Sequence, residues 1–171
     1  MNKLHRIAAL ASVLCLILLS SCSSIDWQDI TPEGTDGSFS LPKPVTHRQD
    51  QVHDVYEAKL DKCQIQVGVY PRRLVPAQPG TSDAELLNQF EQNIIAQIQG
   101  NLTAAGKNPQ FSFEGNVPTK NGLAQQTRIR VQDEFILNQF YITPKTLYCI
   151  KIDNGDKTNP NVAKFLDSFT P

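Results

Sequence analysis

The 171-residue chain is poor in the residue types that most often carry chemistry. It has four cysteines, three histidines, one tryptophan and one methionine, and its 16 basic and 17 acidic side chains leave a formal charge of −1. That balance excludes both a broadly basic nucleic-acid binder and an acidic disordered tail. There is no Cys-x-x-Cys pair to support thiol redox catalysis, no Gly-rich phosphate loop and no Gly-x-Ser-x-Gly nucleophile elbow. No internal repeat or low-complexity stretch is present. Apolar runs are short as well. The longest, Ile7 to Leu19, is interrupted only by Ser12. At 1.5 Å per residue it makes about 20 Å of helix, against the ~30 Å hydrocarbon core of a bilayer.

What is there begins with an address. Lys3, His5 and Arg6 precede the apolar run, and Leu19-Ser20-Ser21-Cys22 closes it. Positive start, short apolar core and small residues form a secretion signal. The closing tetrapeptide resembles the bacterial lipobox, an aliphatic residue and two small residues before an obligatory cysteine. Small side chains admit the peptide bond to a peptidase, and the Cys22 thiol is the soft nucleophile that takes a diacylglyceryl group as a thioether. The pattern predicts residues 1–21 as signal peptide, cleavage between Ser21 and Cys22, and a lipid-bearing Cys22 as the first mature residue. Cleavage removes Lys3 and Arg6 but no acidic residue, so the formal charge falls from −1 to −3. Such a chain has no electrostatic pull toward anionic lipid, and its fatty-acyl (palmitate-type) chains would hold it to the bilayer. Ser23 stands where Asp would signal inner-membrane retention. The resemblance therefore implies a periplasm-facing outer-membrane location.

Residues 22–36 are polar with scattered apolar residues, and they are expected to be the lipidated N-terminus and a tether. Trp27 there either rests at the membrane interface or packs on the domain edge. A single domain is expected over residues 37–171. Phe39-Ser40-Leu41 reads as a strand stopped by Pro42, and a loop with Pro44, His47 and Asp50 follows. Tyr56, Ala58 and Leu60 alternate on one parity and Cys63, Ile65, Val67 and Val69 on the other, which predicts a hairpin turning at Asp61-Lys62. Ser82 and Glu85 form a capping-box pattern before Leu86, Leu87, Phe90, Ile94, Ile95, Ile98 and Leu102, predicting a helix over 83–105 that stops at Gly106. Period-two patterning then returns through Phe111 and Phe113, with turns expected at Asn121-Gly122, at Asp133-Glu134 and over Thr143 to Thr146. Apolar residues on both parities from Phe135 to Ile152 place that hairpin centrally in the sheet. Asn159-Pro160 opens a last helix with Val162, Phe165, Leu166 and Phe169 as its buried stripe. Three strands, a long helix, four antiparallel strands and a short helix predict an α+β fold: an α/β/α sandwich with a mainly antiparallel central sheet and a helix on each face.

In this order Phe39-Ser40-Leu41-Pro42, the hairpin before a long helix, Leu147-Tyr148-Cys149-Ile150 and the closing Phe165-Leu166-Asp167-Ser168-Phe169 resemble the Mog1/PsbP-like domains, among them the DcrB-type periplasmic lipoproteins. The resemblance covers residues 37–171 and implies a non-enzymatic accessory or binding module without a shared catalytic signature.

Site candidates are few. Cys15 leaves with the signal and Cys22 takes lipid, so Cys63 and Cys149 remain as an even pair. In an oxidising envelope they are expected to form a disulfide, with two buried thiols as the alternative. His47, Asp50, His53 and Asp54 offer transition-metal ligand types. They lead into a strand whose alternate residues diverge, so no metal site is expected. Arg128 and Arg130 alternate on one strand face, where they contact an anion or an acidic partner or simply line a solvated edge; Arg72-Arg73 is the other basic cluster. The expectation is a non-enzymatic, membrane-tethered module with no cofactor, no nucleic acid, and a bilayer and an envelope protein as partners. The alternative is a small hydrolase or metal-binding protein using His47 and His53.

Overall fold

The computed structural model describes residues 25–49, 51–75, 78–119 and 122–171. Residues 1–24, with the expected signal segment, Ser21 and Cys22, lie outside them, as do Asp50 and Asn121. Five strands come first: β1 (Trp27–Ile30), β2 (Phe39–Pro42), β3 (Val45–Gln49), β4 (Asp54–Leu60) and β5 (Cys63–Pro71). After a 3-10 turn at Arg72–Leu74 come helix α1 (Asp83–Ala104), strands β6 (Gln110–Thr119), β7 (Gly122–Val131), β8 (Glu134–Ile142) and β9 (Thr146–Asp153), and helix α2 (Pro160–Ser168). Seven strands make one antiparallel sheet in the order β3-β4-β5-β9-β8-β7-β6, while β1 and β2 form a separate two-stranded ribbon. This is an α+β sandwich, with α1 on one face and α2 with the ribbon on the other.

Each helix forms where its end signals stand. Ser82 Oγ accepts the Glu85 N–H at 3.3 Å and Glu85 Oε2 accepts the Ser82 N–H at 2.9 Å, closing the capping box. At the far end Gly106 takes a φ of +72°, and the N–H groups of Gly106 and Lys107 donate to the Thr103 and Leu102 carbonyls at 2.9 Å each. That pairing is a Schellman stop. Asn159 Oδ1 caps α2 by accepting from Asn161 N at 2.9 Å, with Pro160 in the first turn.

Two apolar cores result. Leu86, Leu87, Phe90 and Ile95 of α1 pack with Ile129, Phe140, Leu147 and Cys149 on one face. On the other, Val162, Phe165 and Leu166 of α2 and Phe39 and Leu41 of β2 cover Ile65, Val67, Tyr148, Ile150 and Ile152. Burying each of these large side chains contributes about 1.5–3 kcal/mol. Central placement of β8 and β9 follows: Leu137, Phe140, Leu147, Tyr148 and Ile150, drawn from both parities, are 0–2% exposed.

Several expectations change. Five strands precede α1 instead of three. Strand β1 lies inside the segment read as a tether, paired antiparallel with β2 from Trp27↔Pro42 to Ile30↔Phe39, so the folded body starts well before Gly37. Trp27 packs half-buried against the core, with Lys164 Nζ 4.4 Å from its ring centre. The loop around His47 is strand β3, an edge whose Thr46 to Gln49 stay exposed and so show no apolar alternation. The β7–β8 turn is Gln132-Asp133, because Val131 pairs with Glu134; Gln132 takes the positive φ of +57°. The Asp61-Lys62 turn stands, with Leu60 paired to Cys63. The β6–β7 pairing closes at Thr119↔Gly122, with a bulge between Phe113 and Gly115.

The ribbon is bolted to the sheet at residues 36 and 37. Thr143 Oγ1 donates to Asp36 Oδ1 at 2.5 Å, and Lys145 N donates to Asp36 Oδ2 at 3.1 Å. Desolvation is the largest single influence on this carboxyl and raises its pKa, but the hydrogen bonds together outweigh it and hold the pKa below the ordinary carboxylate value. A depressed folded pKa means that the contribution is present above the unfolded value of about 3.9 and lost as pH falls through the folded value. Acid unfolding curves should therefore show a shallower loss of stability in Asp36→Asn than in the parent; identical slopes would contradict this. At Gly37, an added Cβ would lie 2.5 Å from Tyr148 Oη and 2.9 Å from the Thr170 carbonyl. Tyr148 is buried and the Thr170 carbonyl accepts from Ser38 N at 2.8 Å, so Gly37→Ala is expected to lower the urea midpoint by about 1–3 kcal/mol equivalent, and an unchanged midpoint would refute the close approach.

Candidate functional site

The sequence-predicted residues are spread over both faces. His47 Nε2 lies 2.8 Å from Asp54 Oδ1, and its ring stacks on Tyr56 at 4.4 Å on the α2 side. His53 stacks on Tyr70 at 4.4 Å, and Tyr70 meets Phe90 of α1 edge-on at 4.8 Å. The sheet thus stands between the two imidazoles. Among the described residues no group of three or more His, Cys, Asp and Glu side chains is placed to hold a metal ion.

The expected Cys63–Cys149 disulfide is not formed, and both residues are buried free thiols. Cys63 belongs to the α2-side core and Cys149 to the α1-side core, so their side chains leave neighbouring strands in opposite directions. Cys63 Sγ donates to the Asn154 carbonyl at 3.0 Å. Burial, with help from Asp61 and Asp156, pushes its pKa up. Burial pushes the Cys149 thiol up to about 12. Both shifts run opposite to the lowering that marks a reactive thiolate.

Arg128 and Arg130 share the α2-side face of β7, as expected. Arg128 Nε donates to Glu114 Oε1 at 2.9 Å, and its Nη1 is 4.0 Å from Asp156 Oδ2. Arg130 Nε donates to the Gln132 carbonyl at 3.3 Å. The two line an open groove of about 490 Å³ that also contains Asp133 and Glu134. Its charges therefore balance, and the anion reading is left with Arg130, whose guanidinium has no carboxylate partner among the described residues. Arg72 pairs with Asp83 and donates to the Thr143 carbonyl at 3.2 Å, tying the start of α1 to the β8–β9 turn.

What the sequence reading missed is a polar seam through the sheet. Gln139 Nε2 donates to Gln126 Oε1 at 2.7 Å and Tyr141 Oη to Gln139 Oε1 at 3.0 Å, all buried on the α2 side. On the α1 side Thr127 donates to Glu91, which is 7% exposed. Beside it stands Asn138, fully buried, whose Oδ1 and Nδ2 have no partner among the described residues. Each unmet group costs about 1–3 kcal/mol, and such a pair in a native core calls for a ligand, a water or a function. Asn138 lies on the floor of a groove of about 250 Å³ between the second half of α1 and strands β3, β4, β5 and β9. Ile94 and Ile98 of α1 overhang it and stay half-buried. One signal was visible in the sequence: Asn138-Gln139 interrupts an otherwise apolar run from Phe135 to Ile142.

No protein-family model matches the sequence, and no curated protein is similar enough to match it. Among solved structures, cyanobacterial PsbP (CyanoP) from Synechocystis sp. PCC 6803 superposes with a TM-score of 0.55, over 88% of this chain and 95% of that one. This is a PsbP-like fold. Sequence identity to CyanoP is 12%, so the likeness is one of fold alone. The PsbP-like fold that the resemblance over residues 37–171 implied is therefore present.

Proposed function

We propose that the protein is a cell-envelope lipoprotein, acylated at Cys22, whose PsbP-like domain acts as a non-enzymatic binding or accessory module held at a membrane. The observation that carries this reading is Leu19-Ser20-Ser21-Cys22 at the end of a basic, then apolar, start. Ser23 favours the outer membrane facing the periplasm. The body begins almost at the anchor: Cys22 is five residues before Trp27, at most about 18 Å of extended chain at ~3.6 Å per residue. The β1–β2 ribbon would then lie close to the bilayer, leaving the sheet ends away from it for an envelope protein partner. Among the described residues, no helix is long and apolar enough to cross a membrane.

Crosslinking of the native protein in cells tests the module reading, which expects a specific neighbour; recovery of none would count against it. A hydrolase or metal protein would need His47 and His53 to work together, and they lie on opposite faces of the sheet. The double variant His47→Ala/His53→Ala is expected to keep both its fold and its crosslinked neighbours. Loss of the cellular phenotype with fold and neighbours intact would revive the enzymatic alternative.

A further inference from the structure

The α1-side groove carries an inference independent of lipid attachment. Ile94 and Ile98 of α1 and Val55 of β4 give it apolar lining. Its floor holds Asn138, 0% exposed, with one donor group and one acceptor unmet among the described residues. Two cations line it. Arg48 is paired to Glu57, and Lys151 Nζ donates to Asp153 Oδ2 at 2.9 Å, leaving ammonium protons to spare. An apolar wall with a few convergent polar groups is the usual make-up of a small-ligand site, and about 250 Å³ sits just under the common size range.

We propose that this groove binds a small molecule in which a carboxylate stands beside a secondary amide and an apolar side chain, the chemistry of an N-acylated apolar amino acid or of a peptide's C-terminal residue. The ligand's amide N–H donates to Asn138 Oδ1, one carboxylate oxygen accepts from Asn138 Nδ2 and the other meets Lys151, and its side chain lies against Ile94, Ile98 and Val55. Asn138 turns about its side-chain torsions, or Ile94 gives way, to admit it. A water-filled pocket would not need the apolar walls, and an apolar cargo would not need Asn138.

Calorimetric titration of the detergent-purified full chain with N-acetyl-L-leucine tests this. A Kd of about 1 mM or tighter is expected, with the uncharged N-acetyl-leucinamide at least about tenfold weaker. N-acetyl-Ala-Ala-Leu distinguishes the sources: tighter binding than N-acetyl-leucine assigns the site to peptide C-termini, equal or weaker binding to free acyl amino acids. Asn138→Leu is expected to abolish binding while raising the unfolding midpoint, since it removes two unmet polar groups. Ile98→Trp, which fills the groove from the helix side without touching Asn138, should block binding as well. Absence of binding by either probe, undiminished binding in both variants, or a lowered midpoint in Asn138→Leu would overturn the proposal.

Discussion

A chain starting at Gly37 is expected to unfold at a markedly lower urea concentration than one starting at Ser24. The shorter chain lacks β1, whose Ile30 is 8% exposed and whose Trp27 packs on the α2-side core. Losing the burial of one large apolar side chain costs about 1.5–3 kcal/mol, and part of a tryptophan adds to it. The β2 strand, with Phe39 and Leu41 at 2% and 0% exposure, also loses its ladder partner β1. Asp36, which fixes Thr143 and Lys145, goes too. A loss of about 3 kcal/mol or more follows, a large share of the roughly 5–15 kcal/mol that holds a typical domain. Equal midpoints would mean that residues 27–30 are an ornament, and the tether reading of 22–36 would stand.

The second large effect concerns the anchor. Cys22→Ala is expected to move the protein from the membrane fraction to the soluble fraction, or to leave an unprocessed precursor. Each buried methylene of an acyl chain contributes about 0.8 kcal/mol, and two or three chains make release negligible. Without them a processed chain of formal charge −3 gains nothing from anionic lipid. Retention after processing, resistant to an alkaline wash, would contradict the reading.

The parts of this fold that were legible in the sequence are those specified by local chemistry. Ser82, Glu85 and Gly106 mark both ends of α1 because caps and stops act within a turn of the helix. The parity change across Asp61-Lys62 marks the β4–β5 hairpin because register is set at the turn. Strand β3 was illegible, since an edge strand with exposed Thr46, His47, Arg48 and Gln49 has no buried face to impose alternation. Strand β1 was illegible for a related reason: only Ile30 of its four residues is buried. The disulfide expectation failed on a long-range fact. Cys63 and Cys149 do sit on adjacent strands, but only the β5–β9 register, with Gly68 opposite Cys149, shows that they face apart. Asn138-Gln139 breaks the apolar run from Phe135 to Ile142 in plain view, but the burial of Asn138 was hidden in the same way, because it comes from β7 and β9 closing on both sides of β8 and from α1 above.

Central to the protein's proposed role is a lipid-bearing N-terminus in front of a PsbP-like body. Intact-mass analysis of the protein purified from its native membrane addresses it directly. The expected species starts at residue 22 and is heavier than the bare polypeptide by a thioether-linked diacylglyceryl group, with or without an N-acyl chain. A species starting elsewhere, or carrying an unmodified sulfhydryl at Cys22, would contradict it.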